Sequence, residues 1–307
     1  MSLAAALPEI PTNLVVVGWG LLGLAAGLIL TPLVVLFRDY DDDVTDAESG
    51  GQAAVDPPVA SPSSPDSVEE PVEEPVGTAT EPGLPPPPQC PHCGGTIPWI
   101  PGVPVPLAAL WSRRCPHCVA KLAGPAVVPV LATVVLALLA ARFGLGLELL
   151  AFTYIGLVGV VLAVIDARTR RLPNPLVLPA YPIAVALITA AALAPSATTA
   201  QLGYALFGLV GVGAFFLVLW LIHPAGMGWG DVKLSGILGL YLGWLGFANL
   251  LFGIFAAFLA SSLVGLALMV AGRGTRKTQI PLGPFLLAGL LGAVLAGDMP
   301  QHFLGWD

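Results

Sequence analysis

The sequence predicts an all-α polytopic membrane protein of about eight transmembrane helices, with a small zinc-ribbon-like insertion after the first. Three observations carry that prediction. Of 307 residues, 56% are hydrophobic and only 10% charged, with mean hydropathy +0.86, far from the balance of a soluble domain. From Pro125 to Met299 the chain is almost continuously apolar, broken only by isolated charges, Gly and Pro. Ahead of that stretch stand two identical Cys-Pro-His-Cys tetrapeptides.

The first element, residues 1–37, holds an apolar run from about Asn13 to Phe37. It has no basic segment before it and exceeds the apolar core of a secretory signal, so it reads as a retained transmembrane helix. Residues 38–88 follow as an acidic linker rich in Pro, Ser, Glu and Val. Thirteen of the nineteen acids lie between Asp39 and Glu81, so the net charge of −7 belongs to this tract and not to the membrane body. Lacking apolar periodicity, it is expected to be a disordered, partly polyproline tether.

Residues 89–124 form the next unit. Cys90, Cys93, Cys115 and Cys118 make two CxxC knuckles with twenty-one residues between them, a spacing at which two tight turns bring four thiolates to the corners of a tetrahedron. Redox pairs, two disulfides, or a pair that binds nothing are the alternatives; the duplicated motif favours structural zinc. His92 and His117, inside the knuckles, are expected to face solvent. Residues 97–101 and 107–111 offer the small apolar core that a metal would staple.

Seven further spans are expected at about 125–141, 147–165, 175–194, 201–223, 231–246, 248–271 and 283–299, forming a membrane domain over 125–299 with a short tail at 300–307. Topology follows from the basic residues. With both ends outside, Arg38, Arg113, Arg114, Lys121, Arg168, Arg170, Arg171, Lys233, Arg273, Arg276 and Lys277 fall inside, and only Arg142 falls outside. The cysteines then face a reducing compartment, which favours metal over disulfides.

Outside the linker the acids are Glu9, Glu148, Asp166, Asp231, Asp298 and Asp307. Only Asp166 and Asp231 join spans on the inner side, and ionisable groups at membrane helices are costly enough to suggest function. Two carboxylates within reach of one another cannot both ionise easily, so such a pair holds a shared proton. One member then activates water while the other protonates a carbonyl, the chemistry of an aspartic protease. Gly226, Gly228 and Gly230 around Asp231 allow close approach of a substrate backbone. Lys233 is a candidate to hold a negative charge or a carbonyl, or else simply extends to the interface. The structural alternatives are an ion pair of Asp166 with Arg168, Arg170 or Arg171, and a capping role for Asp231.

These residues resemble the prepilin peptidase, or type IV leader peptidase, family of GxGD-type membrane aspartic proteases. Four features match in order: the paired CPHC knuckles; Ile165-Asp166 followed by Arg171-Leu172-Pro173-Asn174; Gly228-Trp229-Gly230-Asp231 with Lys233-Leu234; and Ile280-Pro281-Leu282-Gly283-Pro284-Phe285. The resemblance covers about residues 89–297. It implies that Asp166 and Asp231 are the catalytic pair, cutting prepilin-like precursors on the cytoplasmic face of the bacterial inner membrane. The cut follows a glycine that closes a short basic leader. Prepilins or pseudopilins, the lipid bilayer, and pilus or type II-like secretion machinery are the implied partners; no nucleic acid is expected. Gly228, Gly230, Lys233, Pro281, Gly283 and Pro284 are the candidate substrate-binding residues.

Many members of that family also methylate the new N-terminus using S-adenosylmethionine. Where they carry an Asn and an Arg-x-Pro ahead of the first knuckle, this chain has Arg38-Asp39-Tyr40 and the acidic tract. That departure bears on methylation and leaves proteolysis untouched. Two rival readings are an ion-coupled transporter, which would carry its acids nearer the bilayer midplane, and a non-catalytic zinc-bearing scaffold, which would tolerate loss of either aspartate.

Overall fold

The computed structural model describes residues 11–37, 90–95, 97, 112–170, 172–195, 197–224, 227–273 and 281–304. The acidic linker, the segment 98–111, Arg171, Gly226, Arg276, Lys277, Ile280 and the tail beyond 304 lie outside them. Among the described residues the protein is helical, with no strand beyond a single antiparallel bridge between Arg114 and Lys121. The helices are α1 (Thr12–Leu36), α2 (Val127–Phe143), α3 (Leu147–Thr169), α4 (Asn174–Ala191), α5 (Thr199–Ile222), α6 (Trp229–Trp244), α7 (Phe247–Val270), α8 (Gly283–Ala296) and the short α9 (Met299–Leu304).

In a bilayer the backbone must satisfy its own hydrogen bonds, which makes apolar runs of this length helical. Five helices, α1, α3, α4, α5 and α7, are long and apolar enough to cross a membrane, and α2 and α8 are shorter apolar helices. Of the other two, α9 has only six residues, and α6 has 16 and carries Asp231 and Lys233 near its start. It is buried almost throughout, from Asp231 to Trp244, so its neighbours rather than lipid cover its surface. The eight longer helices correspond to the eight expected spans, with shifted ends. The last expected span, 283–299, stops at Ala296 because Gly297 turns the chain at φ +60°, and α9 follows.

Short turns set the order of packing. Gly144 and Gly246, both at positive φ, turn α2 into α3 and α6 into α7. Close helix contacts run through small residues. A Cβ on Gly27 would lie 2.5 Å from the Pro129 backbone, on Gly208 2.0 Å from the Gly239 carbonyl, and on Gly289 2.3 Å from the Gly253 carbonyl. The pairs α1/α2, α5/α6 and α7/α8 therefore pack backbone against backbone, as membrane helices do where no hydrophobic effect drives them together. These pairs also make the most extensive contacts in the bundle. Helix α4 lies between α3 and α6, and α8 touches α2, α3, α6 and α7.

The cysteine module docks on one end of the bundle. Cys90, Ile97, Cys115 and Leu122 share a buried cluster with Leu33 and Leu36 of α1, with Phe37 just after it, and with Val161, Val164 and Ile165 of α3. The module thus rests against the turn of α3 that carries Asp166.

Candidate active site

Asp166 lies near the C-terminal end of α3, on the face that also buries Leu162 and Ile165. The helix stops four residues later, where Arg170 adopts a left-handed conformation (φ +57°) and its N–H donates to the Asp166 carbonyl at 2.7 Å. Asp166 is 4% exposed. Its Oδ2 accepts a hydrogen bond of 3.0 Å from the backbone N–H of Gly283, the first residue of α8. A Cβ on Gly283 would sit 2.6 Å from that same oxygen. Glycine is what allows the amide to come this close.

Asp231 lies in the first turn of α6 and is 9% exposed. Gly228 occupies the position before the helix, in extended conformation and with no side-chain cap. Asp231 is therefore not the N-cap residue; its carboxylate accepts a hydrogen bond from the Gly228 backbone N–H and sits where the positive end of the helix dipole favours negative charge. Gly228 is exposed and leaves the approach open: a Cβ there would be 3.5 Å from Asp231 Oδ2. Gly230 packs instead on Leu172, whose Cβ would lie 2.8 Å from any Cβ added to it.

The two carboxylates are close enough for their charges to interact. Among the described residues neither forms an ion pair, so the expected alternative of a helix-end bridge from Asp166 to Arg168 or Arg170 is not found. Both groups lie at helix ends rather than mid-span.

Of the other sequence-predicted residues, Lys233 points across to α4. Its Nζ donates to Asn174 Oδ1 and lies 5.6 Å from the centroid of the Trp229 ring. Pro281 precedes α8 and Pro284 sits in its first turn, where a missing N–H costs nothing. Pro284 also lines an apolar cavity of about 160 Å³ between α2, α3 and α8, together with Gly159, Ala163 and Leu287. The sequence reading quoted Leu172 and Asn174 only as part of a motif, with no role, and passed over Tyr181. The first and second stood in plain view in the Leu172-Pro173-Asn174 stretch; Tyr181, whose hydroxyl donates to the Lys233 carbonyl at 2.5 Å, carries no local signal at all.

The four cysteines meet as their spacing implies. Their sulfurs all lie within 4.8 Å of one another, with Cys90 to Cys118 and Cys93 to Cys115 each at 3.9 Å. Four thiolates bound at about 2.3 Å around tetrahedral zinc would be roughly 3.8 Å apart. The separation is far too long for a disulfide, and the four are free thiols.

Matching turns build the two knuckles: Gly94 N–H donates to the Cys90 carbonyl, and Val119 N–H to the Cys115 carbonyl. Gly94 and Val119 both adopt positive φ, a conformation costly for a β-branched residue. His92 and His117 are exposed, as expected.

The thiols' acidity also suits a cation. Burial would raise Cys115, but the amides of Cys118 and His117 and the neighbouring thiols Cys90 and Cys118 bring it down to about 6. The Gly95 amide favours a Cys93 thiolate, yet desolvation and the three neighbouring thiols outweigh it and push Cys93 up to about 11. Four thiol sulfurs at this separation match the donor set and spacing of a tetrahedral zinc site, so the residues present fit zinc.

Residues 150–270 match the type IV leader peptidase family. The chain is 35% identical over 226 residues to the prepilin leader peptidase/N-methyltransferase of Burkholderia pseudomallei (strain 1026b), covering 70% of this chain and 69% of that protein. It is 30% identical over 217 residues to the protein of the same name from Bacillus subtilis (strain 168), covering 68% and 81%, and 32% identical over 222 residues to that of Aeromonas hydrophila, covering 68% and 71%. No solved structure matches the chain. With identity and coverage of this extent across separate relatives, the chain belongs to the type IV leader peptidase family.

Proposed function

We propose that Asp166 and Asp231 form the catalytic pair of a membrane aspartic endopeptidase that removes the leader peptide of prepilin-like precursors. The observation that carries this reading is the convergence of two buried carboxylates from the end of α3 and the start of α6, unpaired with any described cation. In the reaction one carboxylate is ionised and takes a proton from water as the water oxygen bonds to the scissile carbonyl carbon. The other, protonated, donates to the carbonyl oxygen. Collapse of the tetrahedral adduct breaks the C–N bond, and the departing nitrogen takes a proton from the pair. Exposed Gly228 lets the substrate backbone reach Asp231, Gly230 seats the turn on Leu172, and Pro281, Gly283 and Pro284 border the site from α8. Lys233 borders it from α6.

Zinc, held by Cys90, Cys93, Cys115 and Cys118, would be structural: it would tie the two knuckles to each other, while Ile97 and Leu122 pack the module against the ends of α1 and α3. The basic-residue count supports an inner-membrane orientation with both termini outside and the site facing the cytoplasm. Pilus or type II-like secretion machinery is the corresponding partner. The relatives' names also include N-methyltransferase; the stretch in which this chain departs from the family lies outside the described residues, so proteolysis is the activity assigned here. S-adenosylmethionine would be a cofactor only where methylation is retained. Neither rival reading gains support, since the acids are not at midspan and the relatives are named as peptidases.

The test is co-expression with a candidate prepilin, reading the precursor N-terminus by mass spectrometry. Asp166→Asn and Asp231→Asn should each lower cleavage at least about a hundredfold while remaining folded in the membrane. Full cleavage by either variant rejects the pair. A product one methyl group heavier than the trimmed chain establishes methylation as well.

A further inference from the structure

Asp166 and Asp231 ride on different helices, and α3 and α6 meet chiefly toward their other ends, where the Tyr241 hydroxyl donates to the Ala151 carbonyl at 3.0 Å and its ring meets Phe152. At the end that carries the carboxylates, other elements span the gap. On one side is α8, through Gly283. On the other is α4 with the short segment before it, which meets α6 at three points: Leu172, ahead of the helix, fills the space against Gly230, Asn174 Oδ1 accepts from Lys233 Nζ, and Tyr181 Oη donates to the Lys233 carbonyl. Tyr181 is also hemmed in on α6, since a Cβ on Gly236 would lie 2.5 Å from its hydroxyl.

We propose that Asn174 and Tyr181 are positioning residues, which hold the first two turns of α6 through Lys233 and so set the distance between the Asp231 and Asp166 carboxylates. Lys233 then serves as a strut, gripped by its ammonium and by its own carbonyl, rather than as a ligand for substrate. The Trp229 ring beneath the ammonium adds a third contact to the strut. Only five residues separate Asp166 from Leu172, so a single segment carries one aspartate and braces the helix that carries the other. The inference rests on the proposed catalytic pair and goes beyond it.

A displaced nucleophile site lowers turnover more than binding, because the penalty is paid in the transition state. The full-length protein, purified in detergent and assayed on a prepilin precursor, tests this. Tyr181→Phe and Asn174→Leu should each lower kcat about ten- to a hundredfold with KM within about twofold. Asn174→Asp, which keeps an oxygen acceptor for Lys233, should retain kcat within about threefold. Wild-type kcat in Tyr181→Phe and Asn174→Leu, a change in KM alone, or equal losses in Asn174→Asp and Asn174→Leu would each overturn the strut. Asp166→Asn and Asp231→Asn run alongside: activity in those variants rejects the catalytic pair itself, an outcome separable from wild-type turnover in the α4 variants.

Discussion

The backbone N–H of Gly283 reaches across 117 positions of sequence to donate to Oδ2 of Asp166 at 3.0 Å. This one bond ties the start of α8 to the end of α3 and gives the Pro281-to-Pro284 stretch a physical task. It also makes Gly283 sensitive, because a Cβ there would stand 2.6 Å from the carboxylate oxygen. Gly283→Ala is expected to push the carboxylate out of register and lower kcat about ten- to a hundredfold with little change in KM. Steady-state kinetics on a prepilin precursor measures this, and an unchanged kcat would show that the amide contact does not matter to turnover.

Cys90 and Cys115 are the buried pair of the thiol cluster. Their replacement by Ser is expected to abolish metal binding and lower the melting temperature, since the metal's binding free energy is folding free energy for such a module. Metal analysis of the purified protein should find about one zinc per chain, with strong chelators or mild acid removing it, because protons compete for the thiolates.

The α5/α6 crossing leaves no room for side chains. A Cβ on Gly239 would lie 2.1 Å from the Gly208 carbonyl. Gly239→Leu must separate the two helices and should cost at least about 1–3 kcal/mol, seen as a lower melting temperature or loss of folded protein from the membrane. Because α6 carries Asp231, cleavage should fall with it. A variant as stable and active as wild type would contradict the close crossing.

Arg142 provides the control at the opposite end of the bundle. Its Nε donates to the Val294 carbonyl at 3.2 Å, and its guanidinium lies 5.7 Å from the centroid of the Phe143 ring. Arg142→Ala should cost about 1 kcal/mol of stability and leave kcat and KM unchanged. A large loss of activity would mean that the two ends of α8 are coupled more tightly than these contacts imply.

Much of the site was legible without coordinates. Asp166 and Asp231 stand out because acids outside the linker are few and only these two join spans on one side. The cysteine cluster was equally readable, since the duplicated tetrapeptide dictates a local turn and the turn dictates where sulfur points. Tyr181 was not readable: an aromatic in an apolar helix is ordinary, and its function comes from a carbonyl 52 positions away. Lys233 was readable as a charge but not as a strut, because its partner Asn174 lies on another helix. Helix α6 begins two residues ahead of the expected span at about 231–246, which puts Asp231 inside the first turn.

By itself the sequence determined that this protein is a helical membrane protein, roughly where its helices run, and which acids stand apart from the acidic linker. Those properties follow from the need to satisfy every backbone group in lipid and from the rarity of charge there. Tertiary structure alone decided how near the two carboxylates come, which amide steadies Asp166, and what grips Lys233. Such distances depend on where helices remote in sequence touch, and that is set by close contacts between small residues such as Gly208 and Gly239, whose lack of a side chain leaves no periodic pattern to read.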